Sequence, residues 1–148
     1  MKIKSYLIAG LLVIATQARA DIEIEIVNNT AYGTGTKVPG QPSLSVLPLE
    51  IGGHYSYASN RHTSSRLSNK AKIKANGTTK ETWTWPENFQ KGDYLKLEVN
   101  FSAKKEPNIY YGMGSGRSGE FQWNGNPIII TIDSTKDWHT NPITITNP

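Results

Sequence analysis

Few residues in this 148-residue chain carry reactive chemistry, and it has no cysteine. That excludes disulfides, thiolate metal sites, iron–sulfur clusters and a cysteine nucleophile. The three histidines are His54, His62 and His139. None has the i,i+4 spacing of a helical zinc motif. His54 adjoins Tyr55 and reads as a packing or surface residue. Asp133 and Asp137 would offer oxygen to calcium, but Lys136 lies between them and no third acid is close. Glu81, Glu87, Glu98 and Glu120 supply carboxylates for acid–base work, which needs two acids about 5–10 Å apart. Sequence spacing does not pair them. Gly114-Ser115-Gly116 lacks the Gly-x-Ser-x-Gly nucleophile elbow. The Gly112–Gly119 stretch has no helix after it to hold a phosphate. The chain therefore reads as a non-enzyme, with no cofactor and no metal.

Aromatic and basic residues say more. There are four Trp, seven Tyr and three Phe. Tyr and Trp combine an apolar body with a polar tip, which suits sugar stacking or a bilayer interface. Tyr57, Trp83, Trp85, Tyr111 and Trp138 are the candidate contacts with a membrane or glycan. Trp83 and Trp85 lie two apart, on one face of a strand; a core position is the simpler reading for Trp83. Tyr110 and Tyr111 are adjacent, so one of them must point outward. Between Glu50 and Glu81 stand Arg61, Arg66, Lys70, Lys72, Lys74 and Lys80 with no acid among them. This is either a basic patch for anionic lipid or glycan, or a solvated strand and loop face.

These side chains must be positioned by strands, because no stretch keeps a helical period for three turns. Asp21 to Val27 alternates, with Ile22, Ile24 and Ile26 on one face and acids on the other. Leu95, Leu97, Val99 and Phe101 repeat the pattern. Short strands are also expected at 44–49, 54–58, 71–75, 78–85, 109–113, 120–123, 128–132 and 143–146. Residues 33–43, Glu50–Gly53, Ser59–Asn69 and Gly112–Gly119 read as loops or turns. Asn76-Gly77 and Asn124-Gly125 read as hairpin turns. About eight or nine short strands with regular turns predict a single-domain, all-β, antiparallel β-sandwich.

The N-terminus reads as a secretory leader. Lys2 and Lys4 precede an apolar run, and Ala18-Arg19-Ala20 is a small-x-small cleavage site. Residues 1–20 are the expected signal peptide and 21–148 the sandwich domain, secreted or periplasmic. The formal charge of +4 then falls. Losing Lys2, Lys4 and Arg19 leaves 13 bases against 12 acids, a net +1. Neither this balance nor export suggests a nucleic-acid partner.

The order of features resembles the aegerolysin-type proteins. The likeness lies in the strand Ile22–Thr30 closing on Asn28-Asn29, the aromatic strand His54–Asn60, the Asn76-Gly77 turn and Trp83-Thr84-Trp85-Pro86. A Gly-rich stretch and a Thr/Ile-rich terminal strand follow. The family's aromatic-Trp-x-Cys-Pro-Trp-Gly and Gly-Thr-Glu-Gly runs are absent. The resemblance implies a small β-sandwich that recognises membrane lipid, sometimes with a larger pore-forming partner protein, and a toxin role. The expected function is thus an exported binding protein for a membrane lipid or glycan. Two other readings stand beside it. One is a periplasmic inhibitor or immunity protein against a secreted toxin. The other is a fimbrial or surface-assembly subunit whose Ile22–Val27 segment pairs with a neighbour's sheet edge.

Overall fold

Isoleucine at every second position turns Asp21–Asn28 into a half-buried strand, β1. The computed structural model describes residues 21–84, 88–133 and 142–148. Residues 1–20, expected to be a leader, and Trp85 and Trp138 lie outside them. Nine further strands follow: β2 (Lys37–Val38), β3 (Gln41–Val46), β4 (Leu49–Tyr57), β5 (Asn60–Ala71), β6 (Gly77–Thr84), β7 (Tyr94–Lys105), β8 (Ile109–Gln122), β9 (Ile128–Ile132) and β10 (Ile143–Thr146). They form an all-β sandwich, as the strand pattern predicts. One sheet runs β10-β9-β1-β6, and the other runs β2-β3-β7-β4-β5 with β8 on the far side of β7. All pairs are antiparallel except β1 with β9.

The core forms where the alternating faces meet. Ile22, Ile24 and Ile26 of β1 and Ile128, Ile130 and Ile132 of β9 join Leu95, Leu97, Val99 and Phe101 of β7 in one buried cluster. Each such side chain contributes about 1.5–3 kcal/mol on burial. An exposed ion pair contributes about 0–1 kcal/mol. The core therefore decides the fold, and the charged faces are free to serve other ends.

β3 and β4 run in succession along one edge of β7. The Leu47 N–H donates to the Ser102 carbonyl at 3.0 Å, and Pro48, which has no N–H, breaks the strand between them. Glu50–Gly53 is not a turn but lies inside β4.

Three segments expected to be loops carry strand. Residues 33–43 hold β2 and the start of β3, whose register brings Lys37 opposite Ser45. Ser59–Asn69 falls almost entirely within β5, an edge strand whose residues are exposed on both faces, with Leu67 half-buried and only Ala71 buried. Its inner face lies beyond the core, so burial imposed no apolar alternation on it. Gly112–Gly119 lies within β8. Its glycines let the second sheet approach. A Cβ on Gly116 would meet the Ile143 carbonyl, and one on Gly114 would meet the Pro142 ring at 2.7 Å.

Neither expected hairpin forms. Asn76-Gly77 and Asn124-Gly125 carry the chain from one sheet to the other, from β5 to β6 and from β8 to β9. The backbone feature that suggested hairpins is present, with φ at +48° for Asn76 and +88° for Gly125. The buried Asn28 side chain secures the first crossover. Its Nδ2 donates to the carbonyls of Tyr32 and Lys74, each at 3.0 Å, while its Oδ1 accepts from the Thr30 N–H and hydroxyl. Ala71–Ala75 is consequently the end of β5 and this connection, not a separate strand.

Gly116→Val is expected to lower the unfolding free energy by about 1–3 kcal/mol, the usual cost of overpacking. Gly112→Val, whose Cβ would meet open space, should cost much less. Urea denaturation of the two variants checks this.

Candidate binding site

The β7–β8 hairpin gathers the exposed apolar surface. Ile109, Tyr110 and Tyr111 are 47%, 62% and 44% exposed, and they are the exposed large hydrophobics among the described residues. Strand register places lysines beside them. One cross-strand row runs Lys37, Ser45, Lys104, Tyr110, and the next runs Leu44, Lys105, Ile109. Lys37 Nζ donates to Ser45 Oγ at 3.0 Å. Lys104 Nζ stands 5.7 Å from the centre of the Tyr110 ring and 3.7 Å from Glu106 Oε1. Tyr111 pairs with the buried Ala103 yet remains open to solvent at the sandwich margin. Three lysines, one glutamate and three apolar side chains therefore share one end of the molecule.

Tyr111 is the expected contact residue that falls here. Tyr57 lies at the other end of the sheet, beyond Ser56, which pairs with Tyr94. Tyr111 pairs with Ala103, so the two tyrosines are roughly 30 Å apart along β7 at about 3.3 Å per residue. Tyr57 is half-buried, edge-on to Tyr55 at 5.9 Å. Loss of solvent, then the charge and hydrogen bond of Tyr55 and the charge of Asp93, raise its pKa above the usual phenol value. Trp83 is only 8% exposed and belongs to the core, so it offers no surface contact. Along Gly77–Thr84 the odd-numbered residues face inward.

The six bases between Glu50 and Glu81 do not make one patch. Arg61, Arg66 and Lys70 lie on β5, Lys72 and Lys74 lie in the crossover, and Lys80 is on β6 of the other sheet, opposite Glu25. Arg61 is already engaged: its Nη2 is 2.7 Å from Glu120 Oε1, and its guanidinium lies 4.0 Å over the Tyr94 ring. The change of sheet at Asn76 disperses what the sequence lists in a row.

The candidate carboxylates are dispersed too. Glu81 points inward from the edge strand β6, while Glu98 and Glu120 lie on the other sheet. Glu87, Asp137 and His139 lie outside the described residues. Asp133 Oδ1 accepts from Asn29 Nδ2 at 2.9 Å. Among the described residues no three His, Cys, Asp or Glu side chains gather as metal ligands. β1 is hydrogen-bonded by β6 along Asp21–Asn28 and by β9 along Ile24–Asn28, so within the segment Ile22–Val27 both edges are paired from Ile24 onward.

The hairpin-end lysines and Tyr110 were missing from the expected set. Ile109-Tyr110-Tyr111 behind Lys104-Lys105 was legible as a signal, because three large apolar residues beside a turn have little core to enter. Lys37 was not legible, since it reaches this end only through the β2–β3 and β3–β7 register.

A second polar cluster closes the opposite end. Asp93 is 3% exposed, and its carboxylate accepts the N–H groups of Ala58 and Gln90, each at 2.8 Å. Around it Phe89 stacks on Trp123 at 5.9 Å and meets Tyr55 edge-on at 5.6 Å. These two bonds tie the β4–β5 turn to the segment before β7, which is a structural role.

Comparisons with protein-family models, curated proteins and solved structures find no match to this chain.

Asp93→Ala strips two part-buried N–H groups of their acceptor. It is expected to cost about 1–3 kcal/mol of stability, read by urea denaturation, while leaving the hairpin end unchanged.

Proposed function

We propose that this protein is an exported, non-enzymatic binding protein that docks on a membrane lipid surface through the β7–β8 hairpin end. The observation that carries this reading is the coincidence of Ile109, Tyr110 and Tyr111 with Lys37, Lys104 and Lys105 at one end. Tyrosine suits the headgroup level, where its ring is buried and its hydroxyl wet. Ile109 favours lipid over glycan, because an aliphatic side chain gives a sugar ring no aromatic face while it enters the acyl boundary readily. Each lysine near an anionic leaflet adds about 1 kcal/mol, screened by salt. Among the described residues no helix is long and apolar enough to cross a membrane. The resemblance to aegerolysin-type proteins accords with lipid recognition and adds a larger pore-forming protein as the partner to seek.

Co-sedimentation with vesicles of neutral and anionic lipid, at low and high salt, tests the proposal. Removing both rings with Tyr110→Ser and Tyr111→Ser is expected to weaken binding about tenfold at either salt, or about 1.4 kcal/mol. Lys104→Gln with Lys105→Gln is expected to cost a similar factor at low salt and little at high salt. These side chains are exposed or half-exposed, so the fold should survive. No sedimentation with any vesicle would overturn the proposal, and binding to glycans through these same side chains would replace lipid as the target.

A further inference from the structure

The outer face of the larger sheet presents alternate residues of β5, β4, β7 and β8 in three rows. Read across the sheet, these are Lys70, Glu50, Asn100, Ser115, then Ser68, Gly52, Glu98, Arg117, then Arg66, His54, Lys96, Glu120. Neighbours in a row are about 5 Å apart. Each carboxylate in the rows has a cationic partner. Glu50 lies 4.0 Å from Lys70 Nζ, Glu98 lies 3.2 Å from Arg117 Nε, and Glu120 lies 2.7 Å from Arg61 Nη2. Arg66 and Lys96 make no ion pair among the described residues, and His54 stands between them. That row therefore carries two cationic side chains, Arg66 and Lys96, without an ion-pair partner among the described residues, while Glu120 at its end is held by Arg61.

Beside that row the sheet has a hole. Gly52 faces outward with no side chain, beside a notch of about 160 Å³ whose side-chain lining includes Glu50, His54, Arg66, Ser68, Glu98 and Asn100. The lining combines two kinds of group. Arg66 offers a planar fork for an anion, with His54 beside it. Ser68, Asn100 and Glu98 offer partners for hydroxyl groups. Glu50 and Glu98, held by Lys70 and Arg117, decide between ligand classes. Two carboxylates at the notch oppose a compact dianion such as phosphate, but each is a strong acceptor for a sugar hydroxyl, which leaves the anionic group of the ligand to Arg66 and Lys96.

We infer that the Gly52 notch, with the Arg66–His54–Lys96 row, binds an anionic sugar unit, carboxylated or sulfated, of an acidic polysaccharide. The site is separate from the hairpin end. Lys96 and Lys104 are eight residues apart on one strand, roughly 26 Å.

Titration of the protein with polygalacturonate, heparin and uncharged dextran tests this. Saturable binding to one of the acidic polymers and none to dextran is expected. Arg66→Gln and Gly52→Val should each weaken that binding tenfold or more. Gly52→Val brings a Cβ to 3.2 Å from the Leu67 carbonyl, so its fold is checked by circular dichroism. If it does not fold, Lys96→Gln, which leaves the backbone untouched, takes its place with the same expectation. Lys104→Gln with Lys105→Gln should bind the polymer as the parent does and lose only vesicle binding, which separates the two sites. Absence of binding to either acidic polymer would overturn the inference. So would equal losses in Arg66→Gln and the hairpin double variant, which would mean diffuse charge attraction.

Discussion

Burial of one face of β7 is the constraint on which the other placements depend. Leu95, Leu97, Val99, Phe101 and Ala103 all point into the core. A shift of one residue would bring Lys96, Glu98 and Asn100 inward and expose the apolar set. The register is therefore fixed along the whole strand, and β4, β3 and β8 take their registers from it. The outward rows and the hairpin end are consequences of this one alternation. Their positions are secured by apolar burial of several kcal/mol, not by the weak surface ion pairs that cross them.

What was legible in the sequence follows from the same physics. β1 and β7 announced themselves because each buries one face along its length. β5 did not, because it overhangs the core and no burial shaped its composition. β8 did not, because its glycines answer a need that is not local: β10 must pass close above Gly114 and Gly116. Asn76 and Gly125 illustrate a related limit. A positive φ specifies a sharp reversal, but whether that reversal pairs two strands or hands the chain to another sheet depends on which face the next strand must bury. Here β6 and β9 both pair with β1.

The surface chemistry was less legible than the fold. Sequence proximity grouped Arg61 to Lys80, yet a strand sends neighbours to opposite faces and a crossover sends the next residues to another sheet. Conversely, Lys37 and Tyr110 lie 73 positions apart in the chain and share one row. Charge counts along the chain also miss compensation. Glu120 neutralises Arg61, which the sequence places far away, while Arg66 and Lys96 remain open because the acids near them are taken.

The two surfaces are electrostatically independent. Their separation of roughly 26 Å along β7 exceeds the screening length of about 8 Å at physiological salt about threefold. An anionic leaflet at the hairpin end would thus neither enhance nor quench the Arg66–His54–Lys96 row. A molecule docked by Tyr110 and Tyr111, with β7 upright, would carry that row clear of the headgroups. Polysaccharide above the bilayer would be in its reach, whereas lipid headgroups would not. Bridging a membrane to an acidic glycan then requires no conformational change, only the rigid alternation of one buried strand.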